Sequence, residues 1–194
     1  GIFRTTNRGS DWEQMAIVST DHDMCEGSIA QLPGGRIVLL SRPDADVSWS
    51  DDNGRTWTSP VSLGMRLFEP GLVALRDGTL LALQGSYGSS GLACMFSRDQ
   101  GQTWLVPHQD YGFAVDPSVY GYGKGIELPD GSVYVVYIHT GGHATGDAVS
   151  NAIWAIRLRV SEDGQGIELL PVPGAGSDDS SQKGASGPKE ATGI

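Results

Sequence analysis

The chain has 194 residues, with 13 Lys and Arg against 23 Asp and Glu, for a formal net charge of −10. That acidity argues against a nucleic-acid backbone or an anionic membrane surface as a partner, and no apolar run reaches the roughly 18 residues of a spanning helix. Charged residues make up 19% and hydrophobic ones 39%, and 28 glycines fill the space, about twice the usual share, which suits a fold of many tight turns.

The first recognisable element is a polar turn, Thr5-Thr-Asn7-Arg-Gly9-Ser-Asp11-Trp12, followed by a polar loop with Asp21, His22 and Asp23. From Glu26, EGSIAQLPGGRIVLL reads as a strand, a Gly turn and a second strand, with Arg42 just beyond its end. An octet follows, Ser50-Asp-Asp52-Asn-Gly54-Arg-Thr56-Trp57. Arg66 precedes a second hairpin, EPGLVALRDGTLLAL from Glu69, and a second octet, Ser97-Arg-Asp99-Gln-Gly101-Gln-Thr103-Trp104. A loop over 105–119, carrying His108, Asp110 and Asp116, leads to a third hairpin, YGKGIELPDGSVYVV from Tyr122. A long loop, His139–Asn151, precedes a weak octet copy, Ser161-Glu-Asp163-Gly-Gln-Gly166. From 171 the composition changes: GAGSDDSSQKGASGPKEATG has no large apolar residue, which predicts a disordered tail over 171–194. Cys25 and Cys94 read as two buried thiols, with a disulfide as the alternative.

The two close octets share the pattern S-x-D-x-G-x-T-W, and the four copies begin 45, 47 and 64 residues apart. Ser and Asp satisfy a turn's own backbone N–H groups, Gly supplies positive φ, and Trp covers the corner, so each octet predicts a hairpin corner. With one hairpin between successive octets, the repeat holds four strands. That period predicts an all-β fold, a β-propeller of four-stranded antiparallel blades over residues 1–170. Ser50, Asp52, Gly54, Trp57, Ser97, Asp99, Gly101 and Trp104 are then structural.

Aligning the hairpins on Leu32, Leu75 and Leu128 places Glu26, Glu69 and Tyr122 at one equivalent position. Because antiparallel strands alternate in direction, these three residues and Arg42 belong to one rim of the channel and the octets to the other. Asp21, His22, Asp23 and Arg66 lie in loops of the same rim. Asp21-His22-Asp23 reads as a polar loop rather than a ligand set, and no metal or cofactor is expected.

The octets resemble the Asp boxes, or BNR repeats, of the sialidase (neuraminidase) superfamily of six-bladed propellers, over roughly residues 2–170. In that family a Glu followed sixteen residues later by an Arg marks part of the active site, and Glu26 and Arg42 are similar. Tyr122-Gly-Lys-Gly-Ile-Glu-Leu-Pro-Asp-Gly131 resembles the strand that opens on the nucleophilic Tyr, with Gly123 in place of Ser. The resemblance implies an exo-α-sialidase type of glycoside hydrolase acting on terminal sialic acid or a related acidic sugar. It further implies that Glu26 deprotonates Tyr122, while Arg42, with Arg66 and Glu69 beside it, holds the substrate. The family's third carboxylate-binding Arg has no counterpart near Tyr87–Gly91. A secreted, periplasmic or cell-surface location is also implied. Two alternatives stand beside it: a superfamily enzyme acting on a different glycan, and a non-catalytic carbohydrate-binding propeller. At about 48 residues per blade the chain holds some three and a half blades, so N-terminal blades of the same protein are expected as its partner.

Overall fold

The computed structural model describes residues 1–86, 91–107, 112–117, 121–139 and 152–172. Among them are fourteen strands and no helix, and so no helix long and apolar enough to cross a membrane. The tail expected over 171–194 lies, from 173 on, outside the described residues.

Three four-stranded antiparallel sheets follow one another in chain order. The first is β3 (Cys25–Gln31), β4 (Ile37–Arg42), β5 (Asp46–Ser50) and β6 (Val61–Ser62). The second is β7 (Leu67–Ala74), β8 (Leu80–Ser86), β9 (Leu92–Ser97) and β10 (Phe113–Asp116), and the third β11 (Gly121–Glu127), β12 (Val133–His139), β13 (Ala152–Val160) and β14 (Ile167–Leu170). Ahead of them β1 (Ile2–Arg4) pairs only with β2 (Glu13–Ala16). Each sheet is a meander, the form a propeller blade takes.

Local chemistry sets both kinds of turn. Between the first and second strands of each blade, Leu32, Leu75 and Leu128 accept from Gly35, Gly78 and Gly131 and donate to Arg36, Thr79 and Ser132. These three glycines have φ of 94°, 90° and 79°, which only Gly adopts freely. The octets close the third and fourth strands. Gly54 N–H donates to Ser50 Oγ at 2.9 Å and Thr56 N–H to Asp52 Oδ1 at 2.8 Å, and Gly101 and Thr103 repeat this with Ser97 and Asp99. The indoles of Trp57 and Trp104 donate to the carbonyls of Gly54 and Gly101 at 3.1 Å. The weaker copies keep the pattern: Gly9 N–H reaches Thr5 Oγ1, and Gly166 N–H reaches Ser161 Oγ, both at 2.9 Å. Since the first copy joins β1 to β2, these two strands stand as the third and fourth of a blade.

The middle blade is covered on both faces. Leu80, Ala82 and Met95 pack on Val38, Leu40 and Val47 of the blade before, while Leu81, Leu83 and Phe96 pack on Val133, Val135 and Leu158 of the blade after. Burial on both sides explains why its strands read as unbroken apolar runs rather than alternations. Among the described residues the third blade is covered on one face only: Val136 and Ile153, on the other, are 42% and 79% exposed.

Cys94 is buried and its thiol is pushed up to about 12 by desolvation. Cys25 corrects the expectation of two buried thiols or a disulfide: it is free and exposed, because its strand opens at the rim rather than in a sheet-to-sheet layer.

Candidate functional site

The three positions aligned by the hairpins share an unusual backbone. Pairing between the first and second strands slips between Cys25 and Ser28, between Phe68 and Gly71, and between Gly121 and Lys124. Glu26, Glu69 and Tyr122 sit in these slips with φ of 44°, 48° and 65°. Left-handed backbone is uncommon for residues with a Cβ and rarer still for a bulky one, and a bulge re-aims the side chain it carries. The same costly device at three equivalent places marks one constellation rather than a chance irregularity.

Packing of the inner strands brings these positions together. β7 lies against both β3 and β11, and Ser28 Oγ accepts the Leu72 N–H across the first boundary at 2.9 Å. At the second boundary a Cβ on Gly71 would run into the Gly123 carbonyl, and one on Gly123 would lie 2.7 Å from Leu92 Cδ1. The packing of β11 on Leu92 of β9 and Leu83 of β8 explains why Gly123 stands where the resemblance calls for Ser.

Charges at this rim are interlocked. Arg42 Nη1 donates to Glu26 Oε1 at 2.6 Å, and Glu26 Oε2 accepts the backbone N–H of Glu69 at 3.2 Å. The Arg42 hydrogen bond, helped by that N–H and opposed by burial, holds the Glu26 carboxyl below its usual range. Glu69 moves the other way: burial raises it, the charge of Glu26 adds to this, and Lys124 and Arg42 oppose it. The two neighbouring carboxyls are thus shifted in opposite directions by their surroundings.

Lys124 was not singled out in the sequence. Its Nζ donates to the Pro70 carbonyl at 2.7 Å, close enough to Glu26 and Glu69 to lower both. The only signal for it was its place two residues beyond Tyr122. The Tyr122 ring is 37% exposed and packs on Phe68 with centroids 6.4 Å apart. Glu26, Glu69 and Tyr122 thus come from three consecutive inner strands.

Arg66 lies on the same rim, its Nε 3.4 Å from Asp44 Oδ1 in the turn after Arg42. Beside it His22 Nε2 meets the buried Asp46 at 2.9 Å and its Nδ1 meets Asp21 at 3.1 Å. These hydrogen bonds, Asp46 first, raise the His22 pKa. Asp116 accepts from the Tyr137 hydroxyl at 2.8 Å, and burial followed by that carboxylate pushes the phenol upward. Tyr137 too was not singled out in the sequence. His108 and Asp110 lie outside the described residues, as do 87–90 and nearly all of the loop after β12. Among the described residues no group of three His, Cys, Asp or Glu is placed to hold a metal ion.

A family model for the BNR repeat-like domain matches residues 2–135. No curated protein matches this chain. Among solved structures, a protein of unknown function from Dyadobacter fermentans superposes with a TM-score of 0.64 at 18% identity, over 87% of this chain and 45% of its own. The NanB sialidase from Streptococcus pneumoniae superposes with a TM-score of 0.59 at 22% identity, over 87% and 27%. The α-L-arabinofuranosidase from Fusarium graminearum does so with a TM-score of 0.52 at 16% identity, over 87% and 57%. The chain thus spans well under two thirds of the length of each. With the family model across most of its blades, the chain belongs to the BNR repeat-like family, and its blades share the β-propeller fold of the sialidases among its structural matches.

Proposed function

We propose that this chain carries part of the active site of a glycoside hydrolase of the sialidase-like type. The observation behind this reading is the set of three bulged positions, Glu26, Glu69 and Tyr122, on one rim with Arg42 bonded to Glu26. In this reading Glu26 takes the phenol proton as the Tyr122 oxygen attacks the anomeric carbon and the glycosidic bond breaks. The departing oxygen is protonated by an acid from another blade, and water then releases the sugar from Tyr122. Arg42, Arg66 and Glu69 orient the substrate. The remaining wall comes from further blades of the same protein, for which the bare apolar face around Val136 and Ile153 offers a seat.

Arg42 favours the exo-α-sialidase form of this reading, in which its guanidinium holds the carboxylate of terminal sialic acid or a related acidic sugar. A second form, hydrolysis of a different glycan, is favoured by the complete lack of Lys and Arg between Asp77 and Ser97, where another cation would be needed. The arabinofuranosidase among the structural matches supports this second form, since a similar fold there carries an activity on another sugar. Incubating the full-length protein, with all its blades, with 4-methylumbelliferyl N-acetyl-α-neuraminide and with an array of natural glycans, read by mass spectrometry, tests both forms. Release of a terminal sugar that Tyr122→Phe and Glu26→Gln abolish is expected. Sugar binding that survives both substitutions, with no turnover on any glycan, would instead identify a carbohydrate-binding propeller.

A further inference from the structure

An aromatic ring occupies the place that is equivalent, one blade on, to the position of Arg42. Register pairs Arg42 with Cys25, the residue before Glu26. One blade on, the residue before Glu69 is Phe68, and its partner is Gly85. Gly85 is therefore the equivalent of Arg42. It must be Gly, because a Cβ there would collide with the Phe68 ring. That ring is only 7% exposed and backs Tyr122. No neighbour in the strand–loop–strand from Asp77 to Ser97 supplies a Lys or Arg instead.

The cations that do stand on the rim are already engaged by acceptors of the protein. Arg42 is held by Glu26 at 2.6 Å, Arg66 lies 3.4 Å from Asp44, and Lys124 donates to the Pro70 carbonyl at 2.7 Å. Glu69 adds a carboxyl whose ionised form already suffers the charge of Glu26. A carboxylated sugar would enter beside two glutamates, with an apolar wall at the position equivalent to Arg42. Leaving a half-buried anion without a dedicated partner is strongly unfavourable. An uncharged sugar meets no such cost: its hydroxyls donate to Glu69, and its C–H face suits the exposed Tyr122 ring.

We infer that the sugar recognised here is uncharged, a neutral pentosyl or hexosyl unit, and that Phe68 over Gly85 is the element that excludes acidic sugars. This rests on the glycoside hydrolase reading and narrows its substrate class.

The test is a comparison of kcat/KM on the full-length protein with all its blades, using 4-methylumbelliferyl N-acetyl-α-neuraminide and a panel of uncharged 4-methylumbelliferyl pentofuranosides and hexopyranosides. Binding of the corresponding free sugars is followed by ligand-observed NMR. At least one uncharged probe is expected to be preferred over the sialoside by tenfold or more. A tenfold preference for the sialoside would overturn the inference while leaving the hydrolase reading standing. Neither turnover nor binding of any probe would sink both. Phe68→Ala combined with Gly85→Arg restores room and charge, and should shift the acidic-to-neutral ratio at least tenfold toward the sialoside. Glu69→Gln, which keeps the side chain's shape, should shift it several-fold the same way. An unchanged ratio in both variants, each shown folded by circular dichroism, overturns the assignment.

Discussion

Glu26 Oε2 accepts the backbone N–H of Glu69 at 3.2 Å, so the rim carboxylate of one blade is anchored on the bulge of the next. The contact ties the two strained positions together. It also splits the acidity of the glutamates, since Glu26 gains a donor while Glu69 gains only a like charge beside it.

The pH dependence of the two glutamates should therefore have opposite sign. Glu26, with its folded-state pKa lowered, adds stability above its unfolded pKa that is lost as pH falls through the usual carboxylate range and below it. Glu69, with its folded-state pKa raised, disfavours the fold once pH rises through that value. Glu69→Gln is expected to raise Tm at neutral pH and leave it unchanged near pH 3, whereas Glu26→Gln lowers Tm at neutral pH. Thermal melts across pH check this; equal effects of the two substitutions would contradict it.

His22 supplies a second pH signature. Its pKa is raised by the hydrogen bonds to Asp46 and Asp21, so its contribution is present in full below the ordinary histidine value and disappears as pH rises through the raised one. His22→Asn should lower Tm at pH 5.5 more than at pH 9. A ¹⁵N-histidine titration would show the raised pKa directly.

Asp99 closes its octet by accepting from Thr103 N–H, Thr103 Oγ1 and Ser97 Oγ at 2.6 to 2.8 Å. Removing the carboxylate in Asp99→Ala orphans these donors, at a cost of about 1–3 kcal/mol. Because the octets lie on the rim opposite Glu26, sugar binding by the folded variant should be unchanged. Urea unfolding and a binding isotherm together check both halves of the expectation.

Glycines at the β7–β11 boundary should be graded in their intolerance. Gly123→Ser restores the residue of the resembling strand but brings its Cβ to 2.7 Å from a Leu92 methyl, for an overpacking cost of about 1–3 kcal/mol. Gly71→Ala should cost more, because its Cβ would meet the Gly123 backbone carbonyl, which has no rotamer to move aside. Chemical denaturation of the two variants gives the order, and a milder effect at Gly71 would contradict it.

Most of the architecture was legible in the sequence because it is built from short-range chemistry. Ser50 and Asp52 satisfy N–H groups two to four residues away, and Gly35, Gly78 and Gly131 supply the backbone of three like turns. Repetition of these local solutions gave four strands per blade, and it also placed Glu26, Glu69 and Tyr122 at one equivalent position. Their neighbours across blade boundaries were not legible. Lys124 reaches Pro70 from 54 residues away, and Phe68 lies over Gly85 because of register rather than any motif. Such contacts depend on how closely whole sheets stack, and periodicity within one strand carries no record of that. The composition and repeats by themselves determined an acidic, turn-rich propeller with a candidate rim. Only the packing of one blade on the next decided which charges meet there, which carboxyl is lowered and which raised, and where the Phe68 ring lies over Gly85.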